Sequence, residues 1–243
     1  MVRNNVSVLV PAYNEEKIIE KGVTEQYLYL KSLQKRSVIN LFEILICING
    51  ATDRTEDVCR RLSKRYPEVR YFSIKTKGLG IALTEGLKRA KMGIVTFTDA
   101  EYETQLDFLI QAVPLMQKYQ ILNCSRYLTP QPHGASFFRS LLSRSFREFF
   151  RVMFKFRFSD IGASKVFRSD AIKILIPHLK MAHASWQMEV MYYSLKYGLK
   201  NKEIPINIVI KRPSSESKCE IIKDTFYFFF ICLRFGVRNY LGI

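Results

Sequence analysis

The sequence predicts an α/β fold built on a mostly parallel sheet with helices on both faces. In the first half, short β-rich runs alternate with stretches of helical periodicity. Polar residues able to do chemistry gather just behind those runs, where ligands bind in sheets of this kind. Size agrees: 243 residues, 48% hydrophobic and 25% charged, can bury about 70–75% of the unfolded surface as one unit.

The runs VSVLVPA (6–12), FEILICI (42–48), VRYFSI (69–74), GIVTFTD (93–99) and ILNCSRY (121–127) read as strands from their β-branched and aromatic content. Residues 15–35, 54–65, 80–91 and 106–118 between them have helical character. Asp53 followed by Glu56 reads as a capping box that opens the second helix. TPQPHGASF (129–137) is a loop by its prolines and glycine, and sets a soft boundary between 1–128 and 129–243 within one fold.

Beyond that loop, FFRSLLSRSFREFFRVMFKFRF (137–158) repeats Arg144, Arg147, Arg151 and Lys155 at spacings of three and four. Phe138, Leu142, Phe146, Phe149 and Met153 recur around the same helix. Such a helix either lies in a membrane interface or packs on its own domain with a solvated basic edge. The C-terminal stretch repeats the theme with Lys223, Tyr227, Arg234 and Arg238 near one stripe. Each basic residue near an anionic leaflet adds about 1 kcal/mol of attraction, so two such helices would hold the protein at a membrane without crossing it.

The net charge of +16 points to a polyanionic partner: nucleic acid, phosphorylated substrates or an anionic lipid surface. No nucleic-acid docking motif is present. Five scattered cysteines without a CxxC read as packing residues in a reducing compartment. His133, His178 and His183 form neither HExxH nor a triad pattern. The chain opens without a signal peptide, and no segment reaches the ~18–20 apolar residues that span a bilayer.

TFTDAEYET (96–104) sets Asp99, Glu101 and Glu103 at alternate positions in this basic chain. If the strand continues through them, the three side chains point the same way. Two carboxylates ~5 Å apart repel by ~3 kcal/mol at an effective dielectric of ~20, so a cation is expected among them. KGLGIALTEGLKRA (77–90) opens a helix with Gly78 and Gly80 but has Leu83 where a dinucleotide fingerprint needs glycine, and no Walker lysine. Its GxG is either turn geometry or, beside Lys77 at a helix start, a surface for a diphosphate.

VLVPAYNEE, INGATDRT, KGLGIALTEGLKRAKMGIVTFTDAE, CSRY, DIGASKVFRSDAI and EIPINIVIKRPSSESK occur in that order. Their order and spacing resemble family 2 glycosyltransferases of the GT-A fold, over about residues 6 to 220. The polyprenyl-phosphate branch, with its dolichol-phosphate mannose and glucose synthases, looks most similar. The resemblance implies a Rossmann-like nucleotide-sugar half at 1–128 and an acceptor half at 129–243.

Carried over by position, it implies that Pro11, Tyr13 and Glu15 meet the nucleoside, with Asn49, Asp53, Lys77 and Gly78 completing the nucleotide site. Asp99 and Glu101 match the DxD element, with Glu103 as a further ligand, so that Mg²⁺ or Mn²⁺ is held against the donor diphosphate. That cation answers the acidic triplet, since oxygen clusters suit hard divalent ions. The resemblance further implies that Arg126, Arg212 and Lys218 bind the substrate phosphates, with Arg139 and Arg144 meeting an incoming lipid phosphate. Glu189, in WQMEVMYY, matches a QxE helix where some members keep a catalytic base. A phosphate acceptor, already a dianion near neutrality, needs no base, so Glu189 reads as an orienting or structural residue.

Three departures stand out: Ile48-Asn49 replace an acidic pair before Gly50, Glu101 lengthens the DxD arm, and ASK replaces GFR or GFK in the acceptor region. An Asn at 49 can accept from a base N–H as an acid does and can also donate. The resulting expectation is a metal-dependent, inverting hexosyltransferase, peripheral on the cytosolic face of a membrane. It would use a GDP- or UDP-hexose and a polyprenyl (dolichyl-type) phosphate. Alternatives are a transferase with a saccharide or protein acceptor, or a catalytically silent membrane-associated nucleotide-sugar-binding protein. Oligomeric state is not legible.

Overall fold

Alternation along the strands decides the architecture. Val6, Val8 and Val10 of β1 (Asn5–Ala12) face one apolar layer and Leu9 faces the other; Ile44, Ile46 and Ile48 of β2 (Leu41–Asn49) face the first, Leu45 and Cys47 the second. Strands buried on both faces need helices above and below. The computed structural model supplies them and describes residues 3–102, 105–129, 148, 158–183 and 185–207.

The chain continues through α1 (Ile19–Lys35), α2 (Thr55–Arg65), β3 (Val69–Ile74), α3 (Leu79–Arg89), β4 (Ile94–Phe97), α4 (Leu109–Leu115) and β5 (Ile121–Ser125). After the basic stretch come β6 (Lys165–Arg168), α5 (Ser169–Leu175), α6 (Trp186–Lys196) and β7 (Asn201–Pro205). Residues of α1, α2 and α4, among them Val23, Leu30, Leu62 and Leu109, pack on one sheet face. Leu83 and Leu87 of α3, Leu175 of α5, and Trp186 and Val190 of α6 pack on the other. Each such side chain fully buried stabilises the fold by about 1.5–3 kcal/mol.

The described strands form one seven-stranded sheet in the order β3-β2-β1-β4-β6-β5-β7. Neighbours are parallel except at β6, which runs antiparallel to both β4 and β5. Its reversal follows from connectivity. The chain leaves β5 at the carboxyl edge of the sheet and re-enters β6 from that same edge, so β6 has to run down where its neighbours run up. Neither β6 nor β7 figures among the strands expected from the sequence, and α1 begins at Ile19 where residue 15 was expected. There the Glu15 carbonyl accepts from the N–H groups of Ile18 and Ile19 in a turn that precedes the helix.

Leu9 sits at the centre of the second layer with no exposed surface. Leu9→Ala is expected to destabilise the protein by about 2–5 kcal/mol, read as a drop in the urea midpoint with an unchanged slope.

Candidate functional site

The carboxyl ends of β1 to β5 share one edge of the sheet, and the order reverses between β1 and β4. In open α/β sheets that switch point opens a crevice for ligands. Its walls are the segments that follow these strands.

Pro11, expected at the nucleoside, lies in the last part of β1, opposite Cys47. Tyr13 beyond it is exposed, and the Lys77 ammonium stands 4.1 Å from its ring centroid. This cation–π contact ties the turn after β1 to the segment after β3. Asn14 takes a left-handed conformation (φ 54°), which Asn tolerates better than most residues. Its Oδ1 accepts from the Thr52 N–H at 2.8 Å. Glu15 is half-buried, with its N–H bonded to Thr55 Oγ1 at 2.8 Å.

Asp53 braces this turn. Its carboxylate accepts from the N–H and hydroxyl of Thr55 and from the N–H of Glu16, while Glu16 Oε2 accepts from the Arg54 N–H. The expected Asp53–Glu56 capping box does not form: Arg54 precedes α2 without a side-chain cap bond, and Asp53 and Glu16 instead accept from the Thr55 and Arg54 N–H groups. Burial works against ionisation of Asp53, yet these donors hold its carboxyl below the ordinary value.

Asn49 is buried. Its amide donates to Ala12 O at 3.1 Å and Cys47 O at 3.4 Å, and its Oδ1 accepts from the Gly78 N–H at 3.1 Å. The side chain thus joins the ends of β1 and β2 to the start of α3. The donating and accepting capacity expected to serve a nucleobase is directed at the backbone. Gly80 has a second constraint: a Cβ there would stand 2.2 Å from Met181 O and 2.7 Å from the Trp186 Cβ. Its N–H bonds to Ala182 O at 2.8 Å. The GxG serves close packing of α3 against the loop before α6.

The acidic segment departs from the extended geometry. β4 ends at Phe97 and the chain turns through residues 100–101, after which Tyr102 adopts φ 58°. Burial still alternates, with Ala100 and Tyr102 inside and Asp99 and Glu101 half-exposed on the rim. Glu103 lies outside the described residues. Among the described residues no group of three or more His, Cys, Asp or Glu side chains forms a metal cage. Two half-exposed carboxylates fit a hard divalent cation that draws its other ligands from a diphosphate and water, the usual arrangement for Mg²⁺.

Arg126 follows β5 and forms a two-pronged ion pair with Asp160: Nε to Oδ2 at 2.7 Å and Nη2 to Oδ1 at 2.9 Å. The Arg126 and Gly162 N–H groups also donate to this carboxylate. Burial of Asp160 opposes its charge, but Arg126 and these donors keep its carboxyl below the ordinary range. Glu203 holds the same loop through the N–H groups of Ser159 and Asp160.

Beneath it, Lys165 is wholly buried and donates to Ile161 O, Ala163 O and Gln187 Oε1, one acceptor for each ammonium hydrogen. Burial brings that ammonium down to about 7, with Asp160 opposing the fall. Glu189 is buried too, and its Oε2 accepts from the N–H groups of Lys180 at 2.9 Å and Met181 at 2.8 Å. Burial pushes its carboxyl above the ordinary value against the pull of those donors.

Arg139, Arg144, Arg212 and Lys218 lie outside the described residues, as do the C-terminal basic helix and, apart from residues 148 and 158, the stretch 137–158. Asp160, Lys165 and Gln187 hold the segment around 159–164 without having been singled out by sequence, although DIGASK and QME contain them.

A model of Glycosyl transferase family 2 matches residues 7–175, and the chain belongs to that family. Glycosyltransferase AglD of Haloferax volcanii is 23% identical over 223 residues, 90% of this chain and 35% of that protein. Dolichyl-phosphate beta-glucosyltransferase ALG5A of Trichomonas vaginalis is 33% identical over 103 residues, 42% of this chain and 32% of its own. The human Dolichyl-phosphate beta-glucosyltransferase is 26% identical over 216 residues, 83% of this chain and 66% of its own. The chain therefore spans about a third of the first two relatives and just under two thirds of the third. Glucosyl-3-phosphoglycerate synthase from Mycobacterium tuberculosis, crystallised with Mn²⁺, UDP and glucosyl-3-phosphoglycerate, superposes with a TM-score of 0.67. It is 16% identical and the match covers 98% of this chain and 80% of that one. This likeness concerns the fold, which is GT-A as expected.

Asp160→Asn leaves Arg126 without its counter-charge and is expected to cost about 2–3 kcal/mol at pH 7. Because the folded state lowers the Asp160 pKa, this contribution is complete above the ordinary carboxylate pKa and is lost as pH falls through the folded value. Denaturant midpoints of wild type and variant should therefore converge in acid.

Proposed function

We propose that the protein transfers a hexose from a GDP- or UDP-sugar to a polyprenyl phosphate of dolichyl type, with inversion, at the cytosolic face of a membrane. The observation that carries the reading is the shared rim. Tyr13 with Lys77, the turn bearing Asp99 and Glu101, and the Arg126–Asp160 pair all follow carboxyl ends of strands or face them. Membership of family 2 and two relatives named dolichyl-phosphate beta-glucosyltransferase support it. The basic aromatic stretches support attachment to a lipid surface, and among the described residues no helix is long and apolar enough to cross a membrane.

In this reading Tyr13 presents its ring to the nucleoside, and Lys77 places a charge near the diphosphate. Asn49 and Asp53 act through the backbone they hold. Mg²⁺ or Mn²⁺, held by Asp99 and Glu101 with Glu103 as a further ligand, would offset the charge that builds on the departing diphosphate. Arg126 keeps N–H groups that Asp160 does not occupy and, with Arg212 and Lys218, offsets repulsion between the two phosphate-bearing substrates. Arg139 and Arg144 meet the lipid phosphate. An oxygen of that phosphate attacks the anomeric carbon from the side opposite the diphosphate. The new C–O bond forms as the bond to the diphosphate oxygen breaks, and the nucleoside diphosphate departs.

Incubating the purified chain with nucleotide sugars, Mn²⁺ and polyprenyl phosphate is expected to yield a glycolipid that chelation abolishes; no product with any GDP- or UDP-hexose would contradict the reading. Glu189→Gln separates it from a saccharide or protein acceptor. Glutamine keeps an oxygen for the Lys180 and Met181 N–H groups, so turnover should fall less than about tenfold, against the 10²–10⁴-fold that loss of a general base costs.

A further inference from the structure

Helix α1 carries a glycine and a glutamine that hold the acidic turn. A Cβ on Gly22 would stand 1.9 Å from Ala100 O, so the turn rests directly on the helix backbone. Four residues on and on the same face, Gln26 has no exposed surface and donates through Nε2 to Asp99 O at 3.1 Å. Its Oε1 is buried without a hydrogen-bond partner. A buried, half-satisfied amide is disfavoured against an apolar side chain of the same size, so its presence at this spot calls for a role other than packing. Asp99 O also accepts from the Tyr102 N–H at 3.3 Å. Tyr102, in the left-handed region, keeps its ring buried and receives the Leu106 N–H on its hydroxyl at 3.4 Å. The start of α1 is fixed in turn by Glu15, whose carbonyl accepts from Ile18 and Ile19 and whose N–H bonds to Thr55.

We infer that Gly22 and Gln26 are positioning residues that set where Asp99 and Glu101 stand relative to the nucleoside-side turn, with α1 as the rigid spacer between them. The inference rests on the proposed function, because it assumes that those carboxylates meet a divalent cation. Strand β4 ends at Phe97, so the sheet ladder does not extend through the acidic turn. Its described restraints include the Thr98 N–H bond to Leu9 O, the contact with α1, the Tyr102 anchor and the Gln105 side-chain amide bond to Tyr102 O. Removing the Gln26 donor leaves the carboxylates in place chemically and loosens the backbone that aims them. Loss of supports of this kind behind metal ligands typically lowers affinity by 10–100-fold.

The test uses Gln26→Met, which keeps the volume and removes the amide, in the full chain. Thermal shift is followed against Mn²⁺ concentration at saturating UDP or GDP, whichever shifts the wild type. The expected result is a Mn²⁺ midpoint raised about tenfold with the metal-free response to nucleotide unchanged. A general loss of packing would lower the melting temperature without moving that midpoint. Equal midpoints in wild type and variant would overturn the inference alone. A wild type with no Mn²⁺-dependent response would overturn the proposed function and the inference with it. A second measurement needs no variant: amide exchange of the wild type should slow in both 98–102 and 22–26 on adding Mn²⁺ and nucleotide. Slowing confined to 98–102 would count against the spacer role.

Discussion

Burial of the sheet on both faces is the constraint from which the rest follows. Alternate residues of β1, β2, β4, β5 and β6 feed two separate apolar layers, which leaves no strand face for polar chemistry. The carboxyl edge remains, where the chain leaves each strand and backbone groups lose their ladder partners. Tyr13, Lys77, Asp99, Glu101 and Arg126 stand there, in the segments just beyond the strands, while Asn49, Lys165 and Glu189 reach those segments from the strands and from α6.

Turns placed by apolar packing alone would be loose, and the protein fixes them with buried and half-buried polar side chains aimed at backbone. Asn49 joins two strand ends to α3, Asp53 and Glu16 close the first turn, Lys165 gathers three oxygens under the 159–164 loop, and Glu189 holds residues 180 and 181. Burying such groups is unfavourable unless each is paired, and here each has partners. The Gly80 bond to Ala182 then links the start of α3 to the loop before α6. Tyr13, Lys77 and Arg126, the groups proposed to face substrate, stand on a rim whose backbone is already determined.

Much of this was legible in the sequence where periodicity speaks. The five strands from 6 to 127 and the helices between them follow from β-branched runs and turn residues. β6 and β7 were missed because KVFR and NKEIP mix charged and polar residues into the strand and lack an apolar run, and β6 owes its direction to where the chain re-enters the sheet, which no local pattern encodes. The ordered motifs gave the rim. They could not give the bend after Phe97, because the left-handed Tyr102 is held by a buried ring in a residue type that rarely adopts that conformation. The GxG left turn geometry and a diphosphate surface both open, because glycine reports close approach without naming what approaches; here it is Met181 and Ala182. Gly22 did leave a signal: a glycine inside a helix costs about 1 kcal/mol against alanine, and its reason becomes visible only when Ala100 O is seen against it.

We propose that the rim holds a nucleoside diphosphate through a divalent cation at Asp99 and Glu101. A crystal grown with Mn²⁺ and UDP or GDP, measured at the manganese absorption edge, tests it most directly. The account predicts one anomalous peak within ligand distance of both carboxylates, with the diphosphate beside it and the nucleoside against Tyr13. A nucleotide bound elsewhere, or manganese absent from that turn while nucleotide occupies the crevice, would contradict it.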